Sequence, residues 1–196
     1  MKYFSKTFLV LFMSYSNIVL ASTPEKNDPL IEIVPVSIDA TSTTDSTYLA
    51  FEDGLLSVVA ADKKWQISVK RTNFQTNSGS SGEGSVGVFD SELTDFASVT
   101  ECAVTALTSD TLLPASGAPG SVATSGNAIL NAWYNYDMAT HTVTSKKLVY
   151  LVVEGESCFK FQILDYISAK FSVQAEALPS PVRVESQTPE VSNVDL

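Results

Sequence analysis

Apolar and polar positions alternate with a period of two over much of the chain. Trp65, Ile67 and Val69 alternate with Lys64, Gln66, Ser68 and Lys70, and Phe159, Phe161 and Ile163 alternate with Lys160 and Gln162. Phe171, Val173, Ala175 and Ala177 alternate with Lys170, Ser172, Gln174 and Glu176. Successive side chains of a strand point to opposite faces, so each stretch predicts a strand with one face on a core and the other in water. The run Leu148-Val149-Tyr150-Leu151-Val152-Val153 is apolar on both faces and predicts a central strand. Glu154-Gly155-Glu156-Ser157 then turns it back, as a hairpin, into a strand over 158–164. No stretch carries a convincing helical period, although 123–130 leaves room for a short helical turn. The pattern predicts an all-β fold: one antiparallel sheet or sandwich-like domain with long loops. Two irregular stretches, 76–87 and about 107–126, are rich in Ser, Thr, Gly and Pro, and loops on a β scaffold are where binding residues usually sit.

The two ends read differently from the middle. Residues 1–21 have the form of a secretory signal: Lys2 and Lys6, an apolar run from Phe8 to Met13, and Val19-Leu20-Ala21 before a cleavage site. Ser14, Tyr15, Ser16 and Asn17 interrupt the apolar run, so no integral membrane span is expected. The residue after Ala21 is Ser22 rather than Cys, which gives no sign of a lipid anchor. Residues 22–29 read as a linker, 30–178 as the domain, and 179–196, with Pro179, Pro181 and Pro189, as a flexible tail. The expected location is the periplasm or the medium. Without the leader, ten basic residues face 22 acidic ones. That balance argues against a nucleic-acid partner, which needs a cationic face. An apolar fraction of 44% excludes a disordered chain. In an oxidising compartment the two cysteines, Cys102 and Cys158, predict a disulfide; the alternative is a pair of buried thiols.

Candidate chemistry is sparse. Gly82-Glu83-Gly84-Ser85-Val86-Gly87 has the G-x-G-x-x-G form, but no helix is expected after it to meet a pyrophosphate. A loop whose glycines take positive φ is the plainer reading. His141 is the single histidine and no G-x-S-x-G elbow frames a serine, so a hydrolase has little to rest on and no enzyme is expected. One His and two distant Cys do not make a zinc site. The segment Trp133-Tyr134-Asn135-Tyr136-Asp137-Met138, followed by His141, says more. Beyond the leader Met138 is the only methionine, and thioether and imidazole are both axial ligands of haem iron. As a strand, 133–138 would place Tyr134, Tyr136 and Met138 on one face, a sulfur beside two aromatic walls. The competing reading is packing of the sulfur against the tyrosines. Met138 and His141 are three residues apart, too close to reach opposite faces of one porphyrin.

Several blocks, in order, resemble the HmuY-like family of exported, haemophore-type haem-binding proteins. Ser37-Ile38-Asp39-Ala40 and Tyr48-Leu49-Ala50-Phe51-Glu52-Asp53-Gly54 are similar to its opening strand and aromatic block. Trp65 to Arg71 resembles its W-D-I-x-x-x-R strand, with Gln66 in place of the acid. Thr76-Asn77-Ser78-Gly79 and the 81–88 stretch resemble its Gly-rich loop. Trp133-Tyr134-Asn135-Tyr136, Val149 to Gly155 (with Val153 in place of a basic residue) and Phe159 to Tyr166 resemble its late blocks. The resemblance spans most of 37–177. It implies an all-β haem carrier with no catalysis, delivering haem to an outer-membrane receptor. It places Met138, five residues past Trp133, at a family position for an axial ligand, with Tyr134, Tyr136 and His141 as further haem-binding candidates. The family's other ligand lies between the Gly-rich loop and the late Trp, and here 89–132 hold no His, Met or Tyr. The alternative function is an exported β-sandwich-like ligand- or protein-binding module that has lost haem ligation.

Overall fold

The period-two stretches become strands of two antiparallel sheets that bury apolar faces against each other. The computed structural model describes residues 33–115 and 120–184. The expected leader and linker lie outside the described residues, as does the expected tail beyond 184. In chain order the strands are β1 (Val36–Asp39), β2 (Thr47–Glu52), β3 (Leu55–Val59), β4 (Ile67–Lys70), β5 (Asn73–Thr76), β6 (Gly87–Asp90), β7 (Ala103–Val104) and β8 (Thr111–Leu113). They continue with β9 (Thr124–Gly126), β10 (Tyr134–Asp137), β11 (Thr142–Ser145), β12 (Val149–Glu154), β13 (Ser157–Ile167), β14 (Lys170–Leu178) and β15 (Val182–Arg183). Among the described residues one α-helical turn, α1 (Ala128–Asn131), overlaps the end of the 123–130 stretch where a short helix had room and runs one residue past it.

One sheet has the order β1-β14-β13-β12-β6 and the other β3-β2-β4-β5. Between them lies a core built from Ile38, Leu49, Ile67, Val69, Phe74, Phe161, Phe171 and Trp133, all buried. Phe74 sits at its centre, edge-on to Phe161, Phe171 and Trp133. Each of these aromatics removes a large apolar area from water, which is the main favourable term for a domain of this size. β12 is the central strand its sequence predicted. Tyr150 and Val152 face this core, while Val149, Leu151 and Val153 face the other way. The hairpin turn at Gly155 and Glu156 joins it to β13, with Glu154 opposite Ser157.

The second face of the larger sheet is not in water, contrary to the alternation in 159–163. A connection through Phe96, Val99, Cys102 and Val104 lies over it and makes a smaller core with Val149, Leu151, Val153 and Cys158. Lys160 and Gln162 are therefore buried, as are Gln66 and Ser68 in the other sheet. Each polar group has a partner. Lys160 Nζ donates to the carbonyls of Phe96 and Val99, and Gln162 Nε2 to those of Thr94 and Lys147. The disulfide Cys102–Cys158 fastens this cover to β13 across a separation of 56 residues, with Cα atoms 6.4 Å apart. Strand pairing continues beyond residue 178, where β15 pairs in parallel with β7. Among the described residues no helix is long and apolar enough to cross a membrane.

Candidate functional site

The site grows out of α1. Asn127 caps this turn, its side chain accepting from the amides of Ile129 and Leu130 at 3.1 and 3.2 Å. The turn delivers Trp133 into the main core, where its indole N–H donates to the Thr72 carbonyl at 3.2 Å. Anchored there, the chain leaves the core as β10, turns, and returns as β11. Tyr134 opposes Ser145 and Tyr136 opposes Val143, so these four residues share one face of the hairpin. Tyr134 is half-buried with its ring 4.8 Å from that of Trp133. Lys146 Nζ donates to the Ala132 carbonyl at 2.7 Å and closes the root of the hairpin.

Four residues, Met138 to His141, make the turn. Asp137 shapes it, accepting from the amides of Ala139 at 2.8 Å and Thr140 at 3.3 Å. These bonds, that from Ala139 foremost, hold its carboxyl below the usual carboxylate range. His141 takes a left-handed conformation, φ 54°, which reverses the chain into β11. Its Nδ1 lies 2.7 Å from the Tyr136 hydroxyl. Met138 is 76% exposed and Tyr136 47% exposed.

The structure thus gathers Tyr136, Met138 and His141 at one hairpin tip, with Tyr134 at its root. Tyr134 and Tyr136 share a face as expected. Met138 does not extend the strand; it is the first residue of the turn. At 76% exposure Met138 is not part of the buried core. The Tyr136–His141 contact escaped sequence reasoning because it depends on a turn whose length no spacing announces. Among the described residues no three of His, Cys, Asp or Glu converge as metal ligands.

The Gly-rich loop is a structural feature. No helix follows it. Asn77 organises it, its side chain accepting from the Gly84 amide and donating to the Trp65 carbonyl. A Cβ on Gly84 would stand 2.5 Å from the Asn77 carbonyl oxygen, so close approach, not positive φ, selects glycine there. Positive φ accounts for Gly79 instead, at 52°. Gln66, where the resemblance led one to expect an acid, joins a polar cluster. Its Nε2 donates to Glu154 at 2.9 Å, and Lys64 pairs with the same carboxylate oxygen at 2.9 Å. These residues, with Phe51 and Phe159, line a cavity of about 320 Å³ that the hairpin residues do not border.

A family model described as HmuY protein matches residues 42–177. The chain belongs to the HmuY family. Among solved structures it is similar to the apo HmuY analog of Tannerella forsythia, at 18% identity and a TM-score of 0.58, covering 78% of this chain and 100% of that one. It is also similar to apo PinO of Porphyromonas gingivitis, at 15% identity and a TM-score of 0.47, covering 69% and 81%. The first likeness places the nearly all-β fold among HmuY-like structures. No protein of curated function matches the chain.

Proposed function

We propose that this HmuY-family protein is an exported haem-binding protein that captures or carries haem and catalyses nothing. Met138 supplies an axial thioether, Tyr136 and the free flank of Tyr134 border the ring, and His141 completes the site. An outer-membrane receptor is the recipient, and residues 1–21 are the export signal, leaving the protein in the periplasm or the medium. The family membership supports this reading, since its members are exported haem-binding proteins. One observation carries it to a residue: the single methionine beyond the leader, five residues past Trp133 where the resemblance implies a ligand, lies on a hairpin tip with three-quarters of its surface free. An apolar side chain left there gains nothing from folding, whereas a soft sulfur presented to a ligand can bind iron.

The donor set fits haem more readily than a bare ion, because a porphyrin brings four nitrogens of its own and asks the protein for one or two axial atoms. A single thioether predicts weak, five-coordinate binding. Absorption titration with haem tests the reading: the wild type develops a red-shifted Soret band at micromolar haem and Met138→Ala loses it. No such band in the wild type removes the proposal. The lack of His, Met and Tyr in 89–132 favours the second reading, a family member that keeps the fold and binds another ligand or protein. A wild type that leaves haem unbound yet retains a partner in pull-down, and loses it when the 107–126 loop is deleted, supports that alternative.

A further inference from the structure

We propose that the cavity beside Glu154 takes the first residue of a peptide, with its α-ammonium on Glu154, its carbonyl on Gln66 and an apolar side chain against Phe51 and Phe159. No residue of the 134–141 hairpin borders this cavity, so the site is independent of haem. Its volume of about 320 Å³ is at the small end of the range for ligand sites and suits one residue better than a long segment. The apolar wall is a pair of rings: Phe51 and Phe159 stack with centroids 4.5 Å apart and planes 14° from parallel, and both line the space.

The polar wall holds two unused positions of opposite kind. The Glu154 side chain is 20% exposed, and its Oε2 accepts from Gln66 Nε2 and Lys64 Nζ, each at 2.9 Å. Among the described residues nothing meets its Oε1. Gln66 is 4% exposed, and its Oε1 accepts from the Phe51 amide at 2.9 Å. Of its two amide N–H groups, only the one donated to Glu154 has a partner among the described residues. A buried donor without an acceptor is costly, and a ligand oxygen removes that cost. Because Gln66 and Glu154 already touch, the ligand must carry its donor and its acceptor side by side. The α-ammonium and first carbonyl of a peptide are arranged so, separated by one carbon, with the first side chain on that same carbon. Charge separates a peptide terminus from a free amino acid. Asp53, Glu154 and Glu156 line the cavity against one cation, Lys64. That excess of acid favours an ammonium and opposes a further carboxylate, which a free amino acid brings and a peptide's first residue does not.

Isothermal titration of the purified protein with phenylalanine amide, Phe-Gly-Gly, N-acetyl-phenylalanine amide and phenylalanine tests this. The amide and the tripeptide should bind with a Kd of about 0.1–1 mM, and the acetylated amide and free phenylalanine about tenfold more weakly or worse. Glu154→Gln keeps an acceptor for Gln66 and should weaken the amide about tenfold; Phe51→Leu should weaken it severalfold. Lys64 is 60% exposed, so Lys64→Met leaves the core alone, and by removing the competing cation it should strengthen binding about threefold. A merely structural role would not produce that gain, and an anionic ligand would lose affinity instead. Each variant is checked first for native far-UV circular dichroism. The assignment is overturned by a wild type that binds none of the four probes at about 10 mM, by an acetylated amide that binds as tightly as the amide, or by weaker binding to Lys64→Met. Binding of the amide without the tripeptide, or of phenylalanine as tightly as the amide, overturns the peptide terminus as the occupant.

Discussion

Replacing Lys160 with alanine withdraws a cation enclosed between the larger sheet and the connection that covers it. The side chain is 5% exposed. Its Nζ donates to the Phe96 carbonyl at 2.9 Å and the Val99 carbonyl at 3.0 Å, pairs with Glu176 at 2.8 Å, and lies 4.3 Å from the centre of the Phe96 ring. Two hydrogen bonds from a charged donor contribute about 1.5 kcal/mol each, and both carbonyls lose their donor in the variant. Glu176 is 45% exposed, so that pair adds less than about 1 kcal/mol. Loss of the buried stem leaves a cavity and costs about 1–2 kcal/mol more. Against this, the variant no longer desolvates an ammonium group, which offsets several kcal/mol. The net expectation is a loss of about 3 kcal/mol for Lys160→Ala and about half of that for Lys160→Met, which keeps the stem. Glu176→Gln should cost less than about 1 kcal/mol. Urea unfolding followed by the fluorescence of Trp65 and Trp133 measures all three. A Lys160→Ala variant that unfolds with the wild type, or a Glu176→Gln variant that costs as much, would refute this role of Lys160.

Three further outcomes follow from the same structure. Removing the disulfide by Cys102→Ala with Cys158→Ala should lower stability by about 4 kcal/mol from the loop of 56 residues alone, read by the shift in urea midpoint; a loss under about 1 kcal/mol would contradict the tether. Tyr150 has a buried hydroxyl without a partner, and burial, then the charge of Asp90, pushes its ionisation well above the usual value. The unfolded chain then releases this proton first, so wild-type stability relative to Tyr150→Phe should fall as pH rises above about 10, while at neutral pH the variant should be about 1 kcal/mol more stable. Equal alkaline unfolding of the two proteins would refute that. Gly79→Ala should unfold the Gly-rich loop or the domain, because its φ is 52° and a Cβ would meet the Asp110 carbonyl oxygen; an unchanged melting temperature would show that the loop yields freely.

The period of two was enough to name the all-β class and the strands around Trp65, Val149, Phe159 and Phe171. Local patterns carry that information because side-chain direction alternates regardless of what lies above the sheet. What lies above it is not local. Lys160 looked like a solvent-facing residue, yet its acceptors lie 61 and 64 residues earlier in the chain. Gln66 was read as facing water for the same reason, and its partner Glu154 is 88 residues away. The short strands β7, β8, β9 and β15 are two or three residues long, too short for any period to show. The disulfide was legible because compartment and count suffice to suggest it. At the hairpin, the residue types pointed to iron chemistry, and the family blocks singled out Met138. The turn that exposes Met138 and brings His141 to Tyr136 depends on the caps of Asp137 and on one left-handed residue, which no spacing rule selects.

The most direct test of haem ligation by Met138 is a single resonance. Once residues 1–21 are removed one methionine remains, so a ¹³C-methyl-methionine label gives one signal. With reduced haem under carbon monoxide, a diamagnetic complex, a thioether bound to the iron lies over the porphyrin face. Ligation by Met138 moves this methyl signal far upfield, beyond every other methyl in the spectrum. A signal that stays at the position of an exposed, unliganded methionine, in a sample where haem is demonstrably bound, would contradict it.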